Sequence, residues 1–168
     1  ITILACDNKV YALTKGQSSP TTDQETKNAL DPAGNLNLPF NPLAVALLVG
    51  APFVARTFAG NPQHMESVLR EAILFKGTSV VDILQPCVSF NKVNTYAWYR
   101  ERIYRMEEPQ KDRYEAIRLA EGWGDRIPTG IFWRDGQFIC REGKEMFRRH
   151  VTESAVARLL NKPCIMMR

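Results

Sequence analysis

The alternation of apolar and polar stretches divides this chain into short elements. The opening run Ile1-Thr2-Ile3-Leu4-Ala5 is apolar and β-branched and gives way abruptly at Asp7-Asn8. That pattern predicts a strand buried on both faces whose end carries oxygen-bearing side chains. In parallel sheets the loops after the carboxyl ends of the strands converge on one crevice, so such an end points its polar groups at whatever binds there. The stretch KGQSSPTT, from Lys15 to Thr22, is polar and hydroxyl-rich with one Gly and one Pro. It suits a loop wrapped around a ligand better than a helix. Residues 23–40 lack periodicity and contain Pro32 and Pro39, which predicts a long surface loop.

Beyond this loop the pattern becomes regular. Asn41-Pro42 supplies a helix cap followed by proline at the first helical position, and Gly50 a stop, framing a helix over 42–49 that is apolar all round and therefore expected to be buried. Residues 53–58 read as a strand ended by Ala59-Gly60. Asn61-Pro62 repeats the cap-and-proline device and opens a helix to about Lys76, with Met65, Val68, Leu69, Ala72 and Ile73 on one face. A β-branched strand over 78–84 follows, completing a parallel β-α-β unit. Residues 95–107 predict an amphipathic helix rich in Tyr, Trp and Arg, and 112–121 a second helix closed by Gly122. Asp135-Gly136 reads as a hairpin turn between strands at 130–134 and 137–141, and 151–160 as a last helix. No repeat or low-complexity segment is present.

Composition narrows the class. The chain has 168 residues, 45% of them hydrophobic and 24% charged, which is ordinary for a globular domain with a real core. No apolar run is long enough for a spanning helix, and the start has neither the basic segment nor the cleavage site of a signal peptide. We therefore expect a cytoplasmic protein with no membrane partner. The chain opens directly on a strand without an initiator Met, which reads as a piece of a longer polypeptide. The net charge of +4 is a mild bias that fits an ordinary solvated surface first and the docking of an acidic redox partner second. Basic and acidic residues are interleaved, so nucleic acid is not expected. Cys6, Cys87, Cys140 and Cys164 are too far apart for a paired-cysteine metal motif. Cys6, in the apolar opening run, reads as a core residue; Cys140 and Cys164 have no assignable partners. His64 and His150 fit surface positions better than catalysis, and the aromatic helix at 95–107 fits a face packed on a partner subunit.

Two segments carry a family resemblance. The run DNKVYALTKGQSSPT, from Asp7 to Thr21, resembles the second half of the thiamine diphosphate motif in β subunits of 2-oxoacid:ferredoxin oxidoreductases. LQPCVSFN, from Leu84 to Asn91, resembles the segment with which those subunits hold an iron–sulfur cluster. Asn41-Pro42-Leu43-Ala44 and Val54-Ala55-Arg56 lie between them in family order. The resemblance is good over 1–91 and weak beyond.

The resemblance implies specific roles. The Asn8 side chain and the Val10 main-chain carbonyl would ligate Mg2+, a hard cation that takes oxygen ligands and bridges to the diphosphate. Leu13 would lie near the reactive ring of the cofactor, and Lys15 would meet the carboxylate of an incoming 2-oxoacid. Cys87 would be one ligand of a 4Fe-4S cluster, whose other three thiolates the family draws from elsewhere. Read without the family, Asp7-Asn8 starts a turn, Lys15 is a solvated loop lysine and Cys87 a structural cysteine. The family motif begins with a Gly-Asp-Gly that this sequence lacks, so the isolated chain is expected to bind thiamine diphosphate weakly or not at all. In the family the acid that activates the cofactor comes from the other subunit, so no catalytic acid or base is assigned here.

The expected fold is α/β: a partial three-layer, doubly wound, mainly parallel sheet of the thiamine diphosphate-binding type over 1–91. A helix-and-hairpin extension over 92–168 would pack on the same domain. The implied activity is oxidative decarboxylation of 2-oxoacids to acyl-coenzyme A in complex with an α subunit, with electrons passed to ferredoxin. Two other readings stay open: another thiamine diphosphate enzyme such as an indolepyruvate oxidoreductase, and a non-catalytic fragment or assembly module.

Overall fold

The computed structural model describes residues 1–28 and 30–136. Five strands, β1 (Thr2–Asp7), β2 (Phe53–Phe58), β3 (Ser79–Leu84), β4 (Ile103–Arg105) and β5 (Ile127–Arg134), form one sheet in the order β1-β3-β2-β5-β4. β1, β3 and β2 are parallel, whereas β5 runs antiparallel to β2 and parallel to β4. The helices are α1 (Pro42–Leu48), α2 (Pro62–Leu74), α3 (Tyr96–Arg102) and α4 (Arg113–Ala120).

Three layers result from the two-residue period of β2, which is buried along its whole length. Val54 faces one side, where Leu43, Leu47, Ala116 and Phe132 bring α1 and α4 against the sheet. Phe53 and Ala55 face the other, packing with Val68 and Ala72 of α2 and with Val81 and Ile83 of β3. A third cluster of Phe58, Leu84, Tyr99 and Ile127 closes the carboxyl end of the parallel strands. Both cap-and-proline signals operate as expected. Asn41 Oδ1 accepts from the N–H groups of Leu43 and Ala44, and Asn61 Oδ1 accepts from His64 N–H. Asn41 also donates to the Ala120 carbonyl at 2.9 Å, pinning the start of α1 to the end of α4.

Several expectations are corrected. β1 is an edge strand, not one buried on both faces: Ile3 is 48% and Leu4 45% exposed, and Cys6 is exposed instead of in the core. Apolar composition reports a preference for burial, and the tertiary packing decides whether a layer covers the faces of a strand; the helices here pack over β2 and β3. α1 buries Leu43, Ala46 and Leu47 but exposes Val45 and Leu48, because a single helix touching one sheet face hides one stripe. The aromatic helix stops at Arg102, since Ile103-Tyr104-Arg105 pair with Ile127-Pro128-Thr129 of β5. Its aromatic side chains serve this chain's own core: Tyr99 is fully buried, and Tyr96 and Trp98 pack against the same cluster. Residues 130–134 pair with β2, while the second hairpin strand, the helix at 151–160, His150, Cys140 and Cys164 lie outside the described residues. No helix among the described residues is long and apolar enough to cross a membrane.

Candidate functional site

The parallel strands β1, β3 and β2 end in register, with Asp7 opposite Leu84 and Phe58 opposite Leu84. The loops after β1 and β3 therefore start side by side, and the two sequence segments singled out above meet here. Asn91 Nδ2 donates to the Asn8 carbonyl at 3.2 Å and to Asn94 Oδ1 at 3.1 Å. Asn94 Nδ2 donates in turn to Asp23 Oδ2 at 2.8 Å. Between the loops lies a small cleft of about 100 Å³, walled by Lys9, Val10, Gly16, Thr22, Asn28 and Phe90 among others. Gly16 abuts the Phe90 ring, and its φ of 100° is a conformation that glycine adopts without strain.

The turn after β1 is tightly built. Asn8 Oδ1 accepts from Val10 N–H at 3.1 Å, and Lys9 between them adopts a left-handed conformation with φ of 60°. Asp7 Oδ1 accepts from Lys9 N–H at 3.0 Å and from the Thr21 hydroxyl. The Thr22 hydroxyl donates to the Lys9 carbonyl at 2.7 Å. These hydroxyls fasten the loop to the turn, and Gly16, Gln17, Ser18 and Thr22 of the same loop line the cleft. Residues 11–17 form a compact excursion closed by Tyr11 N–H to Gln17 O at 2.9 Å and Gly16 N–H to Tyr11 O at 3.0 Å. Lys15 and Gly16 stand near its tip with φ of 68° and 100°. Lys15 and Leu13 are exposed, Leu13 at 98%, and neither lines the cleft. Deeper in the loop, the Ser18 hydroxyl and Asn28 amide donate to Asp31 and hold its carboxyl below the usual 3.8.

Charged groups that the sequence pattern did not single out lie beneath this turn. Lys9 is 6% exposed, with Nζ 3.6 Å from Asp7 Oδ2, 3.5 Å from Asp23 Oδ1 and 3.7 Å from the centre of the Trp123 ring. On the neighbouring strands the Arg56 Nε–Asp82 Oδ2 pair is 2.9 Å apart and almost completely buried. Arg56 Nη1, Asp82 Oδ1 and the Tyr99 hydroxyl have no hydrogen-bond partner among the described residues. Burial pushes the Asp82 carboxyl up, Arg56 partly offsets this and Asp7 adds to it. Burial, with Asp7, Asp23 and Asp82 nearby, pushes the Tyr99 phenol up as well. One signal for the pair was available: a single charged residue inside each of two β-branched runs, FVARTF and SVVDIL, which fall opposite each other in parallel register.

Cys87 is half-buried just after β3. Burial opposes its ionisation, but N–H groups of Phe90, Ser89 and Asn91 directed at the sulfur, and Lys92 nearby, leave the thiol below its usual 9.0. His64 is buried, not on the surface, with Nδ1 3.2 Å from the Thr57 hydroxyl.

The donors can be tested against the groups the resemblance implies. The Val10 carbonyl accepts no hydrogen bond among the described residues, Val10 lines the cleft, and Asn8 Oδ1 accepts only the Val10 N–H. Two neutral oxygens with lone pairs to spare fit a hard cation such as Mg2+ in kind, without supplying negative charge. The sulfur of Cys87, with the backbone N–H groups of residues 89–91 nearby favouring its thiolate, fits one thiolate of a cluster. No group of three or more His, Cys, Asp or Glu side chains among the described residues could hold a metal alone.

Residues 1–83 match the family model described as "Thiamine pyrophosphate enzyme, C-terminal TPP binding domain". Fold and site thus define the thiamine pyrophosphate-binding class of α/β domain. Residues 87–151 match the family model for the carboxyl-terminal region of the pyruvate ferredoxin oxidoreductase β chain, so the likeness extends well past residue 91, farther than the two motifs alone indicate. Over 146 residues the chain is 40% identical to subunit beta of 2-oxoacid:ferredoxin oxidoreductase 1 from Aeropyrum pernix, covering 79% of this chain and 46% of that protein. It is 34% identical to the 2-oxoacid:ferredoxin oxidoreductase subunit beta of Saccharolobus solfataricus, covering 97% of this chain and 56% of the other. A solved structure of 2-oxoglutarate:ferredoxin oxidoreductase from Magnetococcus marinus, with 2-oxoglutarate, coenzyme A and succinyl-CoA bound, superposes with a TM-score of 0.78. There the identity is 31%, over 96% of this chain and 58% of that one. The chain belongs to the 2-oxoacid:ferredoxin oxidoreductase β-subunit family. It spans about half the length of the curated relatives it matches.

Proposed function

We propose that this chain forms the metal- and diphosphate-contacting part of a 2-oxoacid:ferredoxin oxidoreductase. The enzyme would convert a 2-oxoacid and coenzyme A to acyl-coenzyme A and carbon dioxide with electrons passed to ferredoxin. The observation that carries the reading is the meeting of the two loops: the Asn8–Val10 turn and the Cys87 segment are joined directly, through Asn91, at the carboxyl ends of parallel strands. When bound, thiamine diphosphate would supply the chemistry for losing the carboxylate as carbon dioxide, and a 4Fe-4S cluster, held in part by Cys87, would supply one-electron transfer.

The chain's own residues have positioning roles. The Asn8 amide oxygen and Val10 carbonyl would bind Mg2+ and, through it, orient the diphosphate. The remaining ligands and the negative charge would come from outside this stretch. Lys15, at the tip of an exposed loop, would pair with the substrate carboxylate. As a point charge on a flexible stem it tolerates varied substrate tails. Leu13 beside it would shield the reacting centre from water. Cys87 would contribute one thiolate to the cluster, and an α subunit would complete the site.

The decisive preparation is the full-length β subunit produced together with its α partner. Expected are joint purification of the two, a brown iron–sulfur chromophore, and ferredoxin reduction that needs both a 2-oxoacid and coenzyme A. In that complex Lys15→Gly relieves the positive φ and removes the charge. It should raise KM for small 2-oxoacids several-fold while the assembly stays intact. Reduction independent of coenzyme A, or an unchanged KM, would overturn the respective assignment.

A further inference from the structure

Lys9 has no role in the reading just given, although it lies between the two oxygens assigned to the metal. Three observations single it out. It is a lysine in the left-handed region, with φ of 60°, where an L side chain is disfavoured and glycine is the usual solution. It is almost fully buried, although lysine is among the residues least often hidden from water. Its ammonium is held from three sides, by Asp7 on β1, Asp23 in the following loop, and the face of Trp123 between α4 and β5.

A long side chain kept in a strained backbone conformation persists only where the surroundings over-determine it. Here the clamp reaches elements remote in sequence and fixes the residue through both ends: its N–H donates to Asp7 and its carbonyl accepts from Thr22. The chain bends at Lys9, whose φ is left-handed, and the Asn8 side chain accepts from Val10 N–H across the bend. The clamp also engages two carboxylates, Asp7 and Asp23, at the back of the turn. Hard cations prefer carboxylate oxygen to neutral oxygen, so uncommitted these groups would compete with Asn8 and Val10 for a divalent ion.

We infer that Lys9 is a positioning residue for the metal–diphosphate site: its clamped ammonium holds the left-handed turn that presents the Asn8 and Val10 oxygens, and occupies the Asp7 and Asp23 carboxylates behind it. This rests on the assignment of Asn8 and Val10 in the proposed function.

The test uses the complete αβ complex stripped of metal and cofactor, with Mg2+ binding measured calorimetrically in the presence and absence of thiamine diphosphate. Lys9→Met keeps the length and removes the charge, Lys9→Arg keeps the charge, and Lys9→Gly suits the backbone but removes the clamp. The Mg2+ dissociation constant in the presence of cofactor should rise at least about tenfold in Lys9→Met and in Lys9→Gly, and recover substantially in Lys9→Arg. KM for the 2-oxoacid should be unchanged. Weak Mg2+ binding without cofactor should appear in Lys9→Met, as Asp7 and Asp23 become available. Full affinity in Lys9→Gly overturns the inference, since the turn would then need no clamp, and Lys9→Gly also remains informative if Lys9→Met does not fold. Asn8→Ala tells the two failures apart. If it weakens Mg2+ binding while the Lys9 variants do not, the inference alone fails. If it too has no effect, the assignment of the site fails with it.

Discussion

The Asn91 carboxamide donates to the Asn8 carbonyl across 3.2 Å, bridging residues 83 positions apart in sequence. Its oxygen accepts from the N–H groups of Val93 and Asn94, so one buried side chain shapes its own turn and ties it to the turn after β1. Asn91→Ala removes every one of these bonds. It should destabilise the protein by about 1–3 kcal/mol, the cost of leaving buried polar groups unpaired. Asn91→Asp keeps the accepting oxygen, loses the donated bonds and sets a carboxyl oxygen against the Asn8 carbonyl and Asn94 Oδ1. A fall in thiamine diphosphate affinity in the neutral Asn91→Ala variant as well as in Asn91→Asp would support a role of the cross-link in the site, and unchanged affinity in Asn91→Ala would remove it.

Cys87 should be reactive whenever no metal occupies it. The N–H groups of Phe90, Ser89 and Asn91 favour the thiolate against the opposing effect of burial. Alkylation by iodoacetamide, followed by peptide mass spectrometry across a pH series, should give an inflection below 9.0 for Cys87. Reconstitution of the cluster in the complete complex should protect it. An inflection at or above that value would remove the electrostatic argument for a ligand role.

The buried Arg56–Asp82 pair holds the centre of the sheet at a cost. Arg56→Met or Asp82→Leu alone leaves an uncompensated buried charge and should destabilise by about 3–5 kcal/mol in denaturant titration. Because Arg56 Nη1 and Asp82 Oδ1 have no hydrogen-bond partner among the described residues, the double variant should recover most of that loss. Additive losses would mean that each group has an independent role.

His64 gives the fold a pH dependence whose sign follows from its burial. Burial, followed by the nearby charge of Arg105, lowers its pKa from 6.5. The unfolded chain therefore binds the proton more readily than the folded one. The stability contributed by neutral His64 is fully present above about 6.5 and is lost as the pH falls through that value toward the folded pKa. Melting temperatures between about pH 5 and 8 should fall more steeply on acidification for the native protein than for His64→Gln. Parallel curves would contradict this.

Helix caps, the β-α-β unit and the two family segments were legible in the sequence because each is a local pattern. Asn41-Pro42 and Asn61-Pro62 set their helix starts through bonds to backbone only two or three residues away. The polar break at Asp7-Asn8 likewise marked a strand end at the mouth of the crevice. Tertiary packing is a different kind of information. Whether Ile3 and Leu4 are covered depends on what packs over the faces of β1, and whether Ile103-Tyr104-Arg105 continue a helix depends on β5 being there to pair with. The clamp on Lys9 is the extreme case, since Asp7, Asp23 and Trp123 come from three separate stretches and no periodicity links them. Composition and spacing, with the two motifs, thus determined most of the elements before residue 95, the class of domain and the family. Only the tertiary structure decided which polar groups face one another, because a buried charge is stable only beside partners that the folded chain brings to it from a distance.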